Sequence, residues 1–209
     1  MLNPNAHLDD LVNEPRETLD VEVKEWLDLT DNDHRAMIAK EVIALANHGG
    51  GFLVIGFQEG ADGTFQPSAG RPVNLDAWSQ DGIQSIVAKY TDPGLECRVL
   101  HRVSATSGEK HPIIAVPGGH RVPIRAKAGA PGGKKLVAHR VYIRRPGPAS
   151  EEPKTAEEWD RFWSVSAKQA SRTARSDALD NGRSRPKPWT GNCRCCEQFC
   201  ESQHHHHAS

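Results

Sequence analysis

Long apolar runs, cysteines spread through the chain and a large net charge of either sign are all missing here. No apolar run reaches the roughly 18–20 residues of a membrane-spanning helix, so a bitopic or polytopic membrane protein is not expected. The first residues, Met1-Leu-Asn-Pro-Asn5, lack the basic region and apolar stretch of a secretory signal. Of the 5 cysteines, Cys193, Cys195, Cys196 and Cys200 crowd the end of the chain, and Cys97 stands alone in a strand-like segment. A disulfide framework would distribute its cysteines through the fold, so the expectation is a cytoplasmic protein with reduced thiols. The formal net charge is −1. The whole-chain balance therefore neither favours nor excludes a polyanionic partner, and only local distribution can do so. No internal repeat is visible.

What is present suffices for one domain with a sizeable core and a tail, in 209 residues of which 25% are charged. Leu8, Leu11 and Val12 give residues 1–16 a short amphipathic segment, one or two helical turns ended at Pro15. Leu19, Val21 and Val23 alternate with Asp20, Glu22 and Lys24, the pattern of a half-buried strand. Glu17 has the wrong parity for that polar face, so it belongs to the lead-in. Asp31-Asn32-Asp33 is an N-cap cluster for a helix with Ile38, Val42 and Leu45 on its stripe, and Gly49-Gly50-Gly51 stops it. Phe52 to Phe57 is continuously apolar and predicts a central strand covered on both faces. Asn74 is a candidate cap for a second helix, with Leu75, Trp78, Ile83, Ile86, Val87 and Tyr90 as its stripe and Gly82 tolerated within it. Strand-like segments follow at about 96–104, 112–117, 121–127 and 136–145, divided by glycines. Thr155 and Glu158 form a capping box for a third helix, with Trp159, Phe162 and Trp163 on its apolar side. The predicted architecture is α+β, a mixed sheet with about three helices, over residues 1–165. Residues 166–209 turn to Ser, Arg, Asp, Gly and Pro, then to Cys and His, and are expected to be a disordered tail.

The chemically capable side chains concentrate between Glu17 and Glu59. Glu17, Glu22 and Glu59, converging from a strand, its lead-in and a neighbouring strand end, are of the type that holds Mg²⁺ or Mn²⁺ through oxygen ligands. Lys24 shares the strand face of Glu22 and is suited to stabilise charge on a phosphate or position water. The same spacing also describes an ordinary solvated face, rich in Glu and Lys for solubility alone. Asn47 and the glycines read either as a helix terminus or as a close backbone approach to phosphate or metal. No Gly-Lys-Ser/Thr follows them, so there is no Walker A support for ATP.

The block Glu17…Val21-Glu22-Val23-Lys24, then Ile38-Ala-Lys40-Glu41…Ala44-Leu-Ala46-Asn47-His-Gly49-Gly50, then Val54-Ile55-Gly56-Phe57 resembles the Schlafen AlbA-like domain. The later Val141-Tyr142-Ile143-Arg144-Arg145…Gly147 is similar to that family's closing segment. The resemblance spans about residues 8–165. It implies an α+β, Schlafen AlbA-like fold that engages nucleic acid, since the family is widely labelled DNA-binding. In members that cut RNA, three acids form the active site, and Glu17, Glu22 and Glu59 stand at the matching places. That reading makes Glu17, Glu22, Lys24 and Glu59 catalytic and the three glutamates ligands of Mg or Mn. Two departures are visible: Val23 replaces a common Phe, and Glu59 replaces the usual Asp.

Basic residues recur at strand parity: Arg98 with Arg102, Arg121 with Arg125 and Lys127, Arg140 with Arg144, and Arg145 beside them. If these strands are neighbours, one sheet face carries an arginine stripe suited to phosphate oxygens. The alternative is a solvated sheet face. Lys134 and Lys135 sit on a glycine-rich loop, as an arm toward a backbone or a soluble tip. Tyr142 either stacks a base or packs. The tail's Cys193-x-Cys195-Cys196-x3-Cys200 and His204 to His207 are zinc-compatible types without a standard spacing. Three function classes follow: a nucleic-acid-binding (DNA or RNA) regulatory module using a basic sheet face, a metal-dependent nuclease or endoribonuclease with a three-carboxylate site, and a protein-interaction scaffold.

Overall fold

The computed structural model describes residues 6–147 and 149–164. The expected tail, with its cysteines and histidines, lies outside the described residues. In chain order the elements are α1 (Ala6–Asn13), β1 (Val21–Lys24), α2 (Asn32–His48), β2 (Gly51–Ile55), β3 (Phe57–Glu59) and β4 (Phe65–Pro67). A 3-10 turn at Asp76–Trp78 leads into α3 (Gln80–Tyr90), followed by β5 (Thr91–Asp92), β6 (Arg98–Val103) and β7 (Lys110–Val116). Then come β8 (Arg125–Ala126), β9 (Ile143–Arg145) and β10 (Ala149–Glu151), and residues 156–164 are again helical.

The main sheet has the order β1-β2-β7-β6. β1 and β2 are parallel, with Glu22 opposite Leu53 and Lys24 opposite Ile55, and α2 is the crossover between them. β7 and β6 add in antiparallel fashion. The mixed α+β sheet expected from the alternation of patterns is therefore present, and the continuously apolar β2 is interior to it, as a strand covered on both faces must be. One face packs on α2 and α3 through Leu53, Ile55, Ile114, Ile38, Leu45 and Ile86. The other packs on α1 through Val21, Val23, Val54 and Ile113 against Leu11 and Val12.

Local chemistry sets the ends of these elements. The Asp31 side chain caps α2 by accepting from Asp33 N at 2.8 Å. At its other end Gly49, Gly50 and Gly51 take φ of 134°, 98° and 156°, a run only glycine follows without strain. Thr155 and Glu158 exchange reciprocal bonds of 3.2 Å each, the capping box expected there. One start is displaced from expectation: Asn74 accepts from Asp76 N and opens the 3-10 turn, whereas Ser79 caps α3 by accepting from Gly82 N at 3.3 Å.

The segments 121–127 and 136–145 contribute less strand than their patterns suggest. Arg125–Ala126 pairs with β5, Ile143–Arg145 pairs with β10, and a single antiparallel bridge joins Arg125 to Val141; neither segment joins the main sheet.

Candidate functional site

Beside the main sheet lies a cleft of about 340 Å³ lined by Glu17, Lys24, Glu25, Phe57, Glu59 and Phe65 among others. Glu17, Lys24 and Glu59 thus come together on one opening. Glu17 precedes β1, as its parity required. Its carboxylate turns back along the outer edge of β1 and accepts from Val23 N at 3.4 Å, satisfying an edge-strand donor. Burial, then the charge of Glu22, push the Glu17 carboxyl above its ordinary value, against the opposing pull of Lys24. Glu59 is exposed at the end of β3.

Glu22 is not in that opening. It lies beneath α2 on the inner face of β1, with 2% of its surface exposed. One carboxylate oxygen receives Lys24 Nζ and the other receives the Arg144 guanidinium. Arg144 also donates to Ser150 Oγ (3.2 Å) and to the main-chain oxygens of Thr18 (2.7 Å), Val21 (3.2 Å) and Leu19 (3.3 Å). Glu41 of α2 approaches the same guanidinium at 3.9 Å. Burial, then the negative charge of Glu22, raise the Glu41 carboxyl. Burial alone would lower the Lys24 ammonium, but Glu41, Glu22 and Glu17 outweigh it, so Lys24 is raised and stays charged. This is a buried cluster with alternating charge, built from β1, α2 and β9.

The arginines expected to form one stripe are distributed among separate pieces of structure. Arg98 and Arg102 project from β6 on the face that α1 covers, and Arg102 pairs with Asp9 of α1 at 3.2 Å. Arg125 pairs with Asp92 at 2.7 Å and Arg140 with Glu152 at 3.6 Å. Arg145 is held by Glu151 at 2.6 Å and Glu158 at 2.5 Å. Arg121 and Lys127 are exposed. Arg144 has no exposed side-chain surface at all. The single basic sheet face is therefore not formed. Strand parity ranks residues within one sheet, and β8 and β9 belong to others.

A family model described as Schlafen, AlbA_2 matches residues 17–147, more than half of the chain. The chain belongs to the Schlafen AlbA_2 family. No curated protein matches it. Among solved structures it is similar to the N-terminal domain of a RecG-related ATP-dependent DNA helicase protein from Nitrosomonas europaea, studied by solution NMR. The identity is 20%, the TM-score 0.39, and the match covers 74% of this chain and 100% of that one.

For this Schlafen AlbA_2 domain the three-carboxylate metal centre can be tested against the donor set. Both Glu22 oxygens are engaged by cations, which leaves Glu17 and Glu59 in the cleft. Among the described residues, no group of three or more His, Cys, Asp or Glu is arranged to hold a metal ion. In this arrangement the residues do not fit a three-carboxylate site, because Glu22 serves as counter-ion to Arg144 and Lys24.

Two buried polar residues of the Schlafen AlbA_2 domain make contacts that the sequence pattern does not show. Glu41 falls within the Ile38, Val42, Leu45 stripe, and an acid in an apolar stripe was the available signal. Asn47 stands in the last turn of α2, at the expected helix terminus, and its side chain is also a clasp. It is 5% exposed, donates to the carbonyls of Ile124 (2.8 Å) and Tyr142 (2.9 Å), and accepts from Ile124 N (2.8 Å). Tyr142 is buried, and its hydroxyl accepts from Val137 N at 2.8 Å, a packing role.

Proposed function

We propose that this domain is a nucleic-acid-binding regulatory module whose main contacts are with the phosphate backbone. The observation that carries this reading is a one-sided charge distribution. Between Glu109 and Glu151 the chain has no Asp or Glu, yet it carries Lys110, Arg121, Arg125, Lys127, Lys134, Lys135, Arg140, Arg144 and Arg145. Most of these side chains are exposed, Arg144 and Arg145 excepted. Nine of the chain's 26 Lys and Arg thus stand in one stretch that has no acid of its own. Within it Arg125 and Arg140 pair with Asp92 and Glu152, while Arg121, Lys127, Lys134 and Lys135 are exposed, and exposed cations of that kind attract phosphates through counter-ion release with little sequence preference. The family resemblance points the same way.

The test is binding of labelled single-stranded DNA, single-stranded RNA and duplexes across a salt series. The logarithm of the binding constant should fall linearly with the logarithm of salt concentration, and Arg121→Ala or Lys127→Ala should each reduce the slope by about one. Salt-independent or absent binding to every probe would overturn the reading and leave a protein-interaction role.

A second reading is cleavage of the bound strand at the Glu17 cleft. The observation favouring it is that Glu17, Lys24 and Glu59 line one opening. Incubation of tRNA, RNA and DNA with the wild-type chain and with Glu17→Ala separates the two: products that vanish in Glu17→Ala, with binding retained, support it. Intact substrates under all conditions refute it.

A further inference from the structure

A second cleft, of about 420 Å³, opens where α2, the loop after β8 and the chain after β10 meet. Lys40, Lys134, Lys135 and Lys154 line it, from three separate stretches of chain. Lys134 and Lys135 are exposed on their loop. The cleft's own carboxylates are already occupied. Glu151 is bonded by Arg145 at 2.6 Å and Lys154 at 2.8 Å, and Glu152 faces Arg140 at 3.6 Å. The neighbour of Lys40 is Glu41, 3.7 Å away and buried. The opening is therefore net cationic although it contains acids.

Its size and charge select one kind of anion. The volume is that of a pocket for a nucleotide-sized group, within the range of about 300–1,000 Å³ for small-ligand sites. A phosphomonoester carries roughly −1.5 to −2 near neutral pH, whereas each phosphodiester inside a strand carries a single charge. Clustered lysines are mobile point charges with three donors each, and they gain most from the more highly charged group. We infer that this cleft seats the terminal phosphate of a nucleic-acid strand, an inference that rests on the nucleic-acid reading and assigns strand-end recognition to it.

The experiment uses the full chain and single-stranded oligonucleotides of one sequence, carrying a 5′-phosphate, a 3′-phosphate or hydroxyls at both ends. One of the phosphorylated strands should bind about tenfold more tightly than the hydroxyl strand, as expected for added charge-assisted contacts. In the double variant Lys134→Ala/Lys135→Ala that difference should disappear. In Lys127→Ala, outside the cleft, all strands should weaken together with the difference intact. Equal binding of all three strands by the wild-type chain would overturn strand-end recognition and leave backbone binding standing. Loss of the difference in Lys127→Ala as well would also overturn it. A nucleoside 5′-monophosphate that bound as tightly as the phosphorylated strand would overturn it too, because the cleft would then serve a free nucleotide. Absence of binding to every strand would remove the underlying reading as well.

Discussion

Arg144 and Glu22 lie 122 residues apart in the chain and form an ion pair with 0% and 3% of their side chains exposed. Every N–H of the Arg144 guanidinium finds an acceptor, on Glu22, Ser150 or the main chain of Thr18, Leu19 and Val21. A buried ion pair adds little over a well-packed apolar replacement, but breaking one side of it leaves an uncompensated charge. The pair therefore fixes where β9 docks against the lead-in to β1.

Arg144→Met should destabilise the domain by about 3–5 kcal/mol, because Glu22 loses a counter-ion in the core. Arg144→Lys should recover only part of this, since an ammonium cannot reproduce the planar fork. Glu22→Gln/Arg144→Met should cost less than the sum of its single changes. Urea denaturation reads all of these. A single Met variant within about 1 kcal/mol of wild type would show the pair to be incidental.

Asn47→Ala should cost about 2–4 kcal/mol, since Ile124 N and two carbonyl oxygens lose their partner in a buried place. Asn47→Asp should be worse at neutral pH. Its carboxylate would face the Ile124 and Tyr142 carbonyls that the amide now serves. Thermal melts of the two variants compare them directly, and an Asp variant as stable as wild type would exclude this account.

The frame from β1 through β2 was legible because its signals are local. Alternation gave β1, the Asp31 cluster gave the start of α2, the glycines gave its end, and a continuous apolar run gave a central strand. The wrong parity of Glu17 placed it in the lead-in. The site was less legible because its decisive contacts are between residues far apart in sequence. Glu22 and Lys24 looked like a polar, outward face, but that face lies under α2, where Glu41 waits and Arg144 arrives from β9. Parity likewise grouped Arg140 with Arg144, although one is exposed and the other is enclosed.

Glu17→Gln should change the pH dependence of stability. The Glu17 carboxyl is raised above 4.5 by burial first and by Glu22 second. A raised value means that protonation favours the folded state. That contribution is fully present below the unfolded value and is lost as pH rises through the folded one. Glutamine keeps the neutral form at every pH. The variant should be the more stable at pH 7, by under about 1 kcal/mol because the group is only half-buried. The gap should close below pH 4.5, which paired denaturation curves at the two pH values would reveal.

Cys97 should be inert in the folded protein. Burial pushes its thiol from 9.0 up to about 12. At pH 8 the thiolate, which is the reacting species, should be scarcer by about a thousandfold than in the unfolded chain. Alkylation followed by peptide mapping should find the Cys97 peptide unmodified until denaturant is added.

The Asn47 clasp has a further consequence for how this surface can change. Its amide grips Ile124 and Tyr142, on either side of the stretch that holds Lys127, Lys134 and Lys135. Within that stretch Ala126 N donates to Arg140 O at 2.8 Å and His139 N donates to Ala126 O at 2.7 Å, which closes the base of the loop. Leu136 and Ala130 anchor the segment in the core beside Leu53, Ile55 and Ile114, whereas Lys134 and Lys135 stand exposed at its tip. The exposed tip between those two anchors can therefore change its charge and its ligand while the scaffold beneath it keeps its shape.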